Sequence, residues 1–284
     1  MQNPGSLHKA ALFAHRGFIY ALMALLALMA LVPIYILLIN ATRTSEEISG
    51  GLALLPGANL ANNWEALTSR GFHVTRGFFN SSFIALATTA LNVYFSAMTA
   101  YGLHAYRFAG RHILWGAVLV IIMLPPSLSF IGFYQLVAGM GLLDNYIPLI
   151  VPAIAGAGAV LFIRQYMATI STVTLIEAAR IDGANEFYVF NKIILPILSP
   201  ALAAQAIFTF VASWNNFFAP FVLILSRDRY TLPMLVAMLH GDVFRVQFGG
   251  IYLGIAASIA PIIVFYAFMS RFIISGLTLG GVKE

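Results

Sequence analysis

Six long apolar runs that carry no charge constrain what this chain can fold into. They fall at about 18–40, 77–103, 113–139, 146–163, 193–226 and 246–270, and every Asp, Glu, Lys and Arg lies outside them. Roughly 20 apolar residues in a helix cross about 30 Å of hydrocarbon. A charge at the centre of such a helix costs roughly 2.5–3.5 kcal/mol on insertion scales, so the segregation of charge maps the spans. The expected architecture is an all-α membrane protein with six transmembrane helices. The fifth run is too long for one straight crossing, and the fourth is short and rich in Gly and Ala. Only 9% of the residues are charged, against about 25% in soluble domains, which excludes a soluble protein with a large core.

Loop charges set the expected orientation. With a cytoplasmic N-terminus, the inside holds Lys9, Arg16, Arg107, Arg111, Arg164, Arg180, Lys192, Arg271 and Lys283. The outside then holds Arg43, Arg70, Arg76, Arg227, Arg229 and Arg245. The C-terminus is then cytoplasmic as well. The net charge of +5 reads as topology rather than as affinity for nucleic acid. Lys9 and Arg16 precede an apolar run that is too long for a signal peptide and lacks a small-residue cleavage site, so an uncleaved first span is expected. There is no Cys, which excludes disulfides and thiolate-bound metal. The three lysines never follow Gly, so the chain has no phosphate-binding loop of the G-x-x-x-x-G-K-[ST] kind. The six His residues sit in loops or termini, without an H-E-x-x-H pattern.

Residues 177–196, EAARIDGANEFYVFNKIILP, form a polar insert between the fourth and fifth runs. Ser171 or Thr172 can cap a helix over 173–182, and Gly183 can stop it in a left-handed conformation. A second helix is expected from about Asn185, with Pro196 at the entry to the fifth span. Ala178 and Ala179 are expected to keep one face low for an approaching surface, with Glu177, Arg180 and Asp182 supplying orienting charge. This spacing resembles the cytoplasmic EAA loop of the membrane subunits of ATP-binding-cassette (ABC) importers. The added Asp182-Gly183-Ala184 resembles the MalG-like, sugar-importing branch. AYRFAGR at 105–111, GLLDN at 141–145, WNNF at 214–217 and FIISGLTLGGVK at 272–283 are similar to family segments in the same order. Asn216 stands where the family often has an acid.

The resemblance implies a type I importer permease fold. Residues 1–76 would form the first span and an external loop, 77–272 five core helices with a coupling loop at 170–196, and 273–284 a cytoplasmic tail. It also implies an ATPase-coupling set of Glu177, Ala178, Ala179, Arg180, Asp182, Gly183, Ile193, Leu195 and Pro196. The implied partners are a second, homologous permease subunit, two ATP-binding subunits that use ATP and Mg, and an extracytoplasmic solute-binding protein. This chain is then a multi-pass subunit in the inner membrane of a prokaryote, surrounded by lipid. It binds no cofactor itself and is not an enzyme.

Uncharged polar residues inside the runs are the candidates for a solute path: Trp214, Asn215 and Asn216, with Gln135 and Gln205. Aromatic rings suit the C–H faces of sugars and amides suit their hydroxyls. The competing role for all five is helix–helix bonding and packing. Gly250 with Gly254 and Ser258, and the pairs Ala153–Ala157 and Ala155–Ala159, have the four-residue spacing that lets helices approach closely. A lone secondary carrier would need ionisable groups at membrane depth, and a membrane-embedded enzyme a cluster of acids, His or a nucleophile. The spans hold neither. Glycerol phosphate or another polar solute remains an alternative cargo.

Overall fold

The computed structural model describes residues 4–68, 73–170, 172–240 and 247–280. Among these the chain is helical and forms no strand. Two compact units are distinguished: residues 1–72 with 239–257, and residues 73–238 with 258–284.

In the first unit, α1 (Pro4–Asn40) is followed by two short helices, α2 (Ser45–Ser49) and α3 (Leu60–Thr68). Two buried polar side chains hold the loop that carries them. Arg43 donates to Asn40 Oδ1 and to the carbonyls of Glu47 and Gly51. The Asn63 amide donates to the carbonyls of Ala41 and Arg43 at 2.9 Å each. Thr44 and Glu47 close a reciprocal capping box at the start of α2. Gly250 opens the way to α3 rather than to a span: a Cβ there would meet Ala66 Cβ at 3.6 Å.

The second unit begins with α4 (Val74–Ala105), then α5 (Arg111–Met123) and α6 (Pro126–Gly139). A short turn, α7 (Ile147–Ile150), leads to α8 (Ala157–Thr169). Next come α9 (Thr172–Ile181) and the bent pair α10 (Glu186–Ile197) and α11 (Ser199–Trp214). The short helices α12 (Phe218–Leu223) and α13 (Leu232–His240) precede the long α14 (Phe248–Gly280), which begins in the first unit. Helices α8 and α11 pack along α4, and α5 packs on α8. A buried cluster that includes Ala97, Ala100, Tyr101, Ile163, Met167, Ile176, Val189, Phe190 and Ile194 forms the core where these helices meet.

The span map needs correction. Four helices are long and apolar enough to cross a membrane: His15–Asn40, Val74–Ala105, Ile147–Thr169 and Phe248–Ile273. The α10–α11 pair, bent by 79°, supplies a fifth, of which the part within the apolar run that starts at 193 is the membrane segment and Glu186–Lys192 lies outside it. The run at 113–139 is not one helix. It breaks at Leu124 and Pro125, both extended, because a residue before proline is pushed out of the helical region. Its halves have 13 and 14 residues, about 20 Å each at 1.5 Å per residue, too short to cross alone. The alanine pairs at 153–159 also fail as a continuous helix face, since Ala155 takes φ 53° in the turn before α8.

A tight turn forms at 141–145 and is held by Asp144. Its carboxylate accepts from the backbone N–H of Leu225 and Ser226 and from the Ser226 hydroxyl, and lies 3.4 Å from Arg229. The Ser226 hydroxyl and amide hold the Asp144 carboxyl below its usual range. Residues 241–246 and the tail beyond 280 lie outside the described residues, so the expected tail at 273–284 is described only through Gly280.

Candidate functional site

The polar insert folds into two helical arms joined by a tight turn. Helix α9 ends in a Schellman motif: Ala184 N–H bonds to Ala179 O at 3.0 Å, and Gly183 N–H to Arg180 O at 3.1 Å. Gly183 holds φ 80°, which a side chain would strain. Two residues later Asn185 starts the second arm, its side chain accepting from Tyr188 N–H at 2.9 Å. The N-terminus of α9 differs from expectation. Thr172 is already helical and fully buried, and its hydroxyl donates back to Met167 O. Ser171 lies outside the described residues.

The second arm widens into a π-helix over Val189–Ile194, where Leu195 N–H bonds to Phe190 O five residues back. Pro196 follows at the second position of the next α-helical turn, where it has no N–H to give. The chain then bends by 79° at Leu198, between Pro196 and Pro200.

The elbow is seated on the core by one face. Ile176, Ala179, Val189, Phe190, Ile194 and Leu198 are buried. This divides the alanine pair. Successive residues of a helix point about 100° apart, so Ala179 faces the elbow's own core while Ala178 faces outward. Glu177, Asp182, Gly183 and Pro196 are exposed, and Arg180, Ile193 and Leu195 are half-buried. Three apolar side chains that the motif did not mark stand out beside the turn: Ile181 is 85% exposed, Phe187 72% and Tyr188 52%. Between the arms, Asp182, Gly183, Asn185, Tyr188 and Ile193 border a depression of about 430 Å³.

Glu186 locks the turn. Its Oε1 pairs with Arg180 Nε at 2.6 Å across the break, and its Oε2 accepts from Tyr101 OH at 2.7 Å. Tyr101 belongs to α4, so the elbow is tied to the helix that anchors the core. The Arg180 guanidinium also lies 5.1 Å from the Tyr106 ring centroid. The Arg180 hydrogen bond, helped by the two tyrosines, holds the Glu186 carboxyl down to about 2. Glu186 in turn raises Arg180 above its ordinary value.

The structure scatters the five solute-path candidates. Trp214 is buried: its Nε1 donates to Ser258 O at 3.0 Å, and its ring stacks on Phe210. Asn215 and Asn216 are exposed where α11 ends, and Asn216 Oδ1 caps Ala219 N–H. Gln135 is exposed on α6. Gln205 is spent inside the fold. Its Nε2 donates to Thr209 Oγ1, Thr209 donates to Asn92 Oδ1, and the Asn92 amide donates to Ala153 O.

A bundle of long apolar helices, with a two-armed polar elbow set between α8 and α11, defines a multi-pass membrane component. Residues 92–278 match the family described as "Binding-protein-dependent transport system inner membrane component", and the chain belongs to it. It is 33% identical to the arabinooligosaccharides transport system permease protein AraQ of Bacillus subtilis (strain 168), over 97% of this chain and 99% of that one. It is 29% identical to the lactose transport system permease protein LacG of Rhizobium radiobacter, over 93% and 95%. Among solved structures, a bacterial ABC transporter involved in the import of the acidic polysaccharide alginate contains a chain of the same fold. Its TM-score is 0.75 at 21% identity, covering 95% of this chain and 98% of that one.

Proposed function

We propose that this permease is one pore-forming subunit of an ATP-driven importer for a carbohydrate, coupled to separate ATPase subunits through the elbow at 172–197. The observation that carries the coupling role is the elbow itself. One face is fixed to the core through Ile176, Ala179 and Glu186, while the other presents Ile181, Phe187 and the Asp182–Gly183 turn outward. A part seated in this way moves with the helices it is tied to, and force on its outer face reaches α4 through Glu186 and Tyr101. A second, homologous permease completes the pore, a solute-binding protein delivers cargo outside, and both termini lie in the cytoplasm. ATP and Mg are used by the ATPase subunits. The arabinooligosaccharide and lactose permeases to which the chain is similar support a sugar as cargo. The neutral amides of Asn215 and Asn216, in spans free of charge, favour a neutral polyhydroxylated solute over an anion such as glycerol phosphate.

Co-purification with candidate ATPase, sister permease and binding protein, followed by an ATPase assay, tests the reading. Sugar-loaded binding protein should stimulate hydrolysis, and Gly183→Pro should abolish the stimulation. Proline requires φ near −65° where Gly183 has 80°, and it removes the N–H given to Arg180 O. If no ATPase associates and the chain transports alone, a secondary carrier replaces this reading. Asn215→Ala should lower uptake severalfold and leave assembly intact; unchanged uptake would remove Asn215 from the path.

A further inference from the structure

A basic cleft of about 770 Å³ opens between the turn joining α4 to α5, the end of α8 and the first arm of the elbow. Arg107, Arg111, Arg164 and Arg180 line it, together with His104 and the carboxylate-bearing Glu177. Arg180 is matched by Glu186. Among the described residues no carboxylate pairs with Arg107, Arg111 or Arg164. Three guanidinium groups therefore face one acid, Glu177, and the cleft keeps a positive surplus. Arg164 is held in place by stacking, its guanidinium 3.9 Å from the Trp115 ring centroid. Arg164 Nε and His104 Nε2 are both buried without a hydrogen-bond partner, and buried polar groups ordinarily have one.

Beside the same turn lies a groove of the opposite character. Leu103, Phe108, Leu114, Ala117, Val118 and Ile121 border about 370 Å³ of almost wholly apolar space along the end of α4 and the length of α5. Guanidinium groups bind phosphate through paired N–H donors. An acidic side chain of a soluble partner, or free phosphate, would satisfy the cleft but has no use for an apolar groove running along a helix. A molecule with a phosphate at one end and an acyl chain at the other uses both.

We infer that the turn between α4 and α5 binds an anionic phospholipid, its phosphate among Arg107, Arg111 and Arg164 and an acyl chain along the α5 groove. The orientation proposed above places this site in the cytoplasmic leaflet, where anionic lipids attract basic residues. Because Val173, Glu177 and Arg180 of the elbow also line the cleft, the lipid would brace the elbow against the membrane surface.

Native mass spectrometry of the full chain in detergent, titrated with phosphatidylglycerol and with phosphatidylcholine of identical acyl chains, tests the inference. Phosphatidylglycerol should be retained in preference to phosphatidylcholine. Arg111→Gln with Arg164→Gln should reduce that preference by roughly tenfold or more, and Arg107→Gln, at an exposed position, by roughly fivefold. Arg107→Gln keeps the test valid if the double variant fails to fold. Ala117→Phe, which fills the groove, should weaken lipid retention without changing the response to inorganic phosphate. Equal retention of the two lipids overturns the inference, as does an undiminished preference in the Arg variants. Competition by inorganic phosphate as effective as that by lipid also overturns it, since the cleft would then be a site for a soluble anion. None of these readouts involves transport, so their failure leaves the importer reading standing.

Discussion

At the scale of single residues, Glu186 does what the spacing of residues 177–196 alone does not show. It is bonded to Arg180 six positions back and to Tyr101, which is 85 positions away. The first contact is local and readable in principle from a helix break flanked by opposite charges. The second depends on how α4 packs, which no short pattern encodes. Hydrogen bonds to charged groups contribute about 1.5–3 kcal/mol. The pair is roughly 40% exposed, so solvent screening reduces this to about 1 kcal/mol. Glu186→Gln should therefore lower the melting temperature in detergent by a few degrees and weaken coupling. The folded carboxyl titrates at about 2, below the ordinary value of about 4.3. Its stabilisation is thus complete above the ordinary value and is lost as pH falls toward the folded one. The difference between wild type and Glu186→Gln should be constant from about pH 5 to 8 and shrink below about pH 4. Melting curves at several pH values check this, and a difference that stays flat into strong acid would separate the effect from Glu186 ionisation. Trp214 teaches the converse lesson. Its place in an aromatic–amide cluster suggested a solute contact, but burial against Phe210, with its N–H given to Ser258 O, makes it a packing residue in this conformation.

At the scale of elements, proline and glycine mark most of the departures from a simple span count. The Gly183 stop and the Asn185 restart were readable because each rests on local backbone chemistry. The split of the run at 113–139 was equally local, at Leu124-Pro125-Pro126, but hydropathy averaged over the run conceals it. The π-helical stretch and the 79° bend were not readable, because they depend on how the arm meets the core. Gly156 illustrates an element junction set by close approach. A Cβ built there lies 2.7 Å from Asn92 Nδ2, the amide that bonds Ala153 O. Gly156→Ala should displace that amide, break the chain of bonds that continues to Thr209 and Gln205, and destabilise by about 1–3 kcal/mol, the range for overpacking. Thermal unfolding of the purified variant measures the loss. Asn92→Ala combined with Gly156→Ala should show less than the sum of the single effects, since the clash and the bond share one side chain.

At the scale of the whole molecule, the chain presents two kinds of apolar surface. It is broad on α1, where Phe18 and Leu28 are exposed, and broad again on α14, where Val264 and Tyr266 are exposed, as lipid requires. On the elbow it is small and set among charges: Ile181 and Phe187 flank Asp182 and Gly183, outside the apolar runs. Solvent-facing apolar side chains of this size, next to a turn fixed by a Schellman motif and an ion pair, fit a preorganised contact for another protein. Each such side chain contributes about 1.5–3 kcal/mol when fully buried. Ile181→Ser with Phe187→Ser should therefore weaken ATPase association by at least about tenfold. Neither side chain supports the fold, so the melting temperature of the isolated subunit should stay within about a degree of wild type. Pull-down of the ATPase at graded concentrations, beside melting of the subunit alone, separates the two effects. Loss of association with unchanged melting assigns these side chains to the docking face. Unchanged association would move the contact to the Glu177–Ala178 side of α9, which is also exposed.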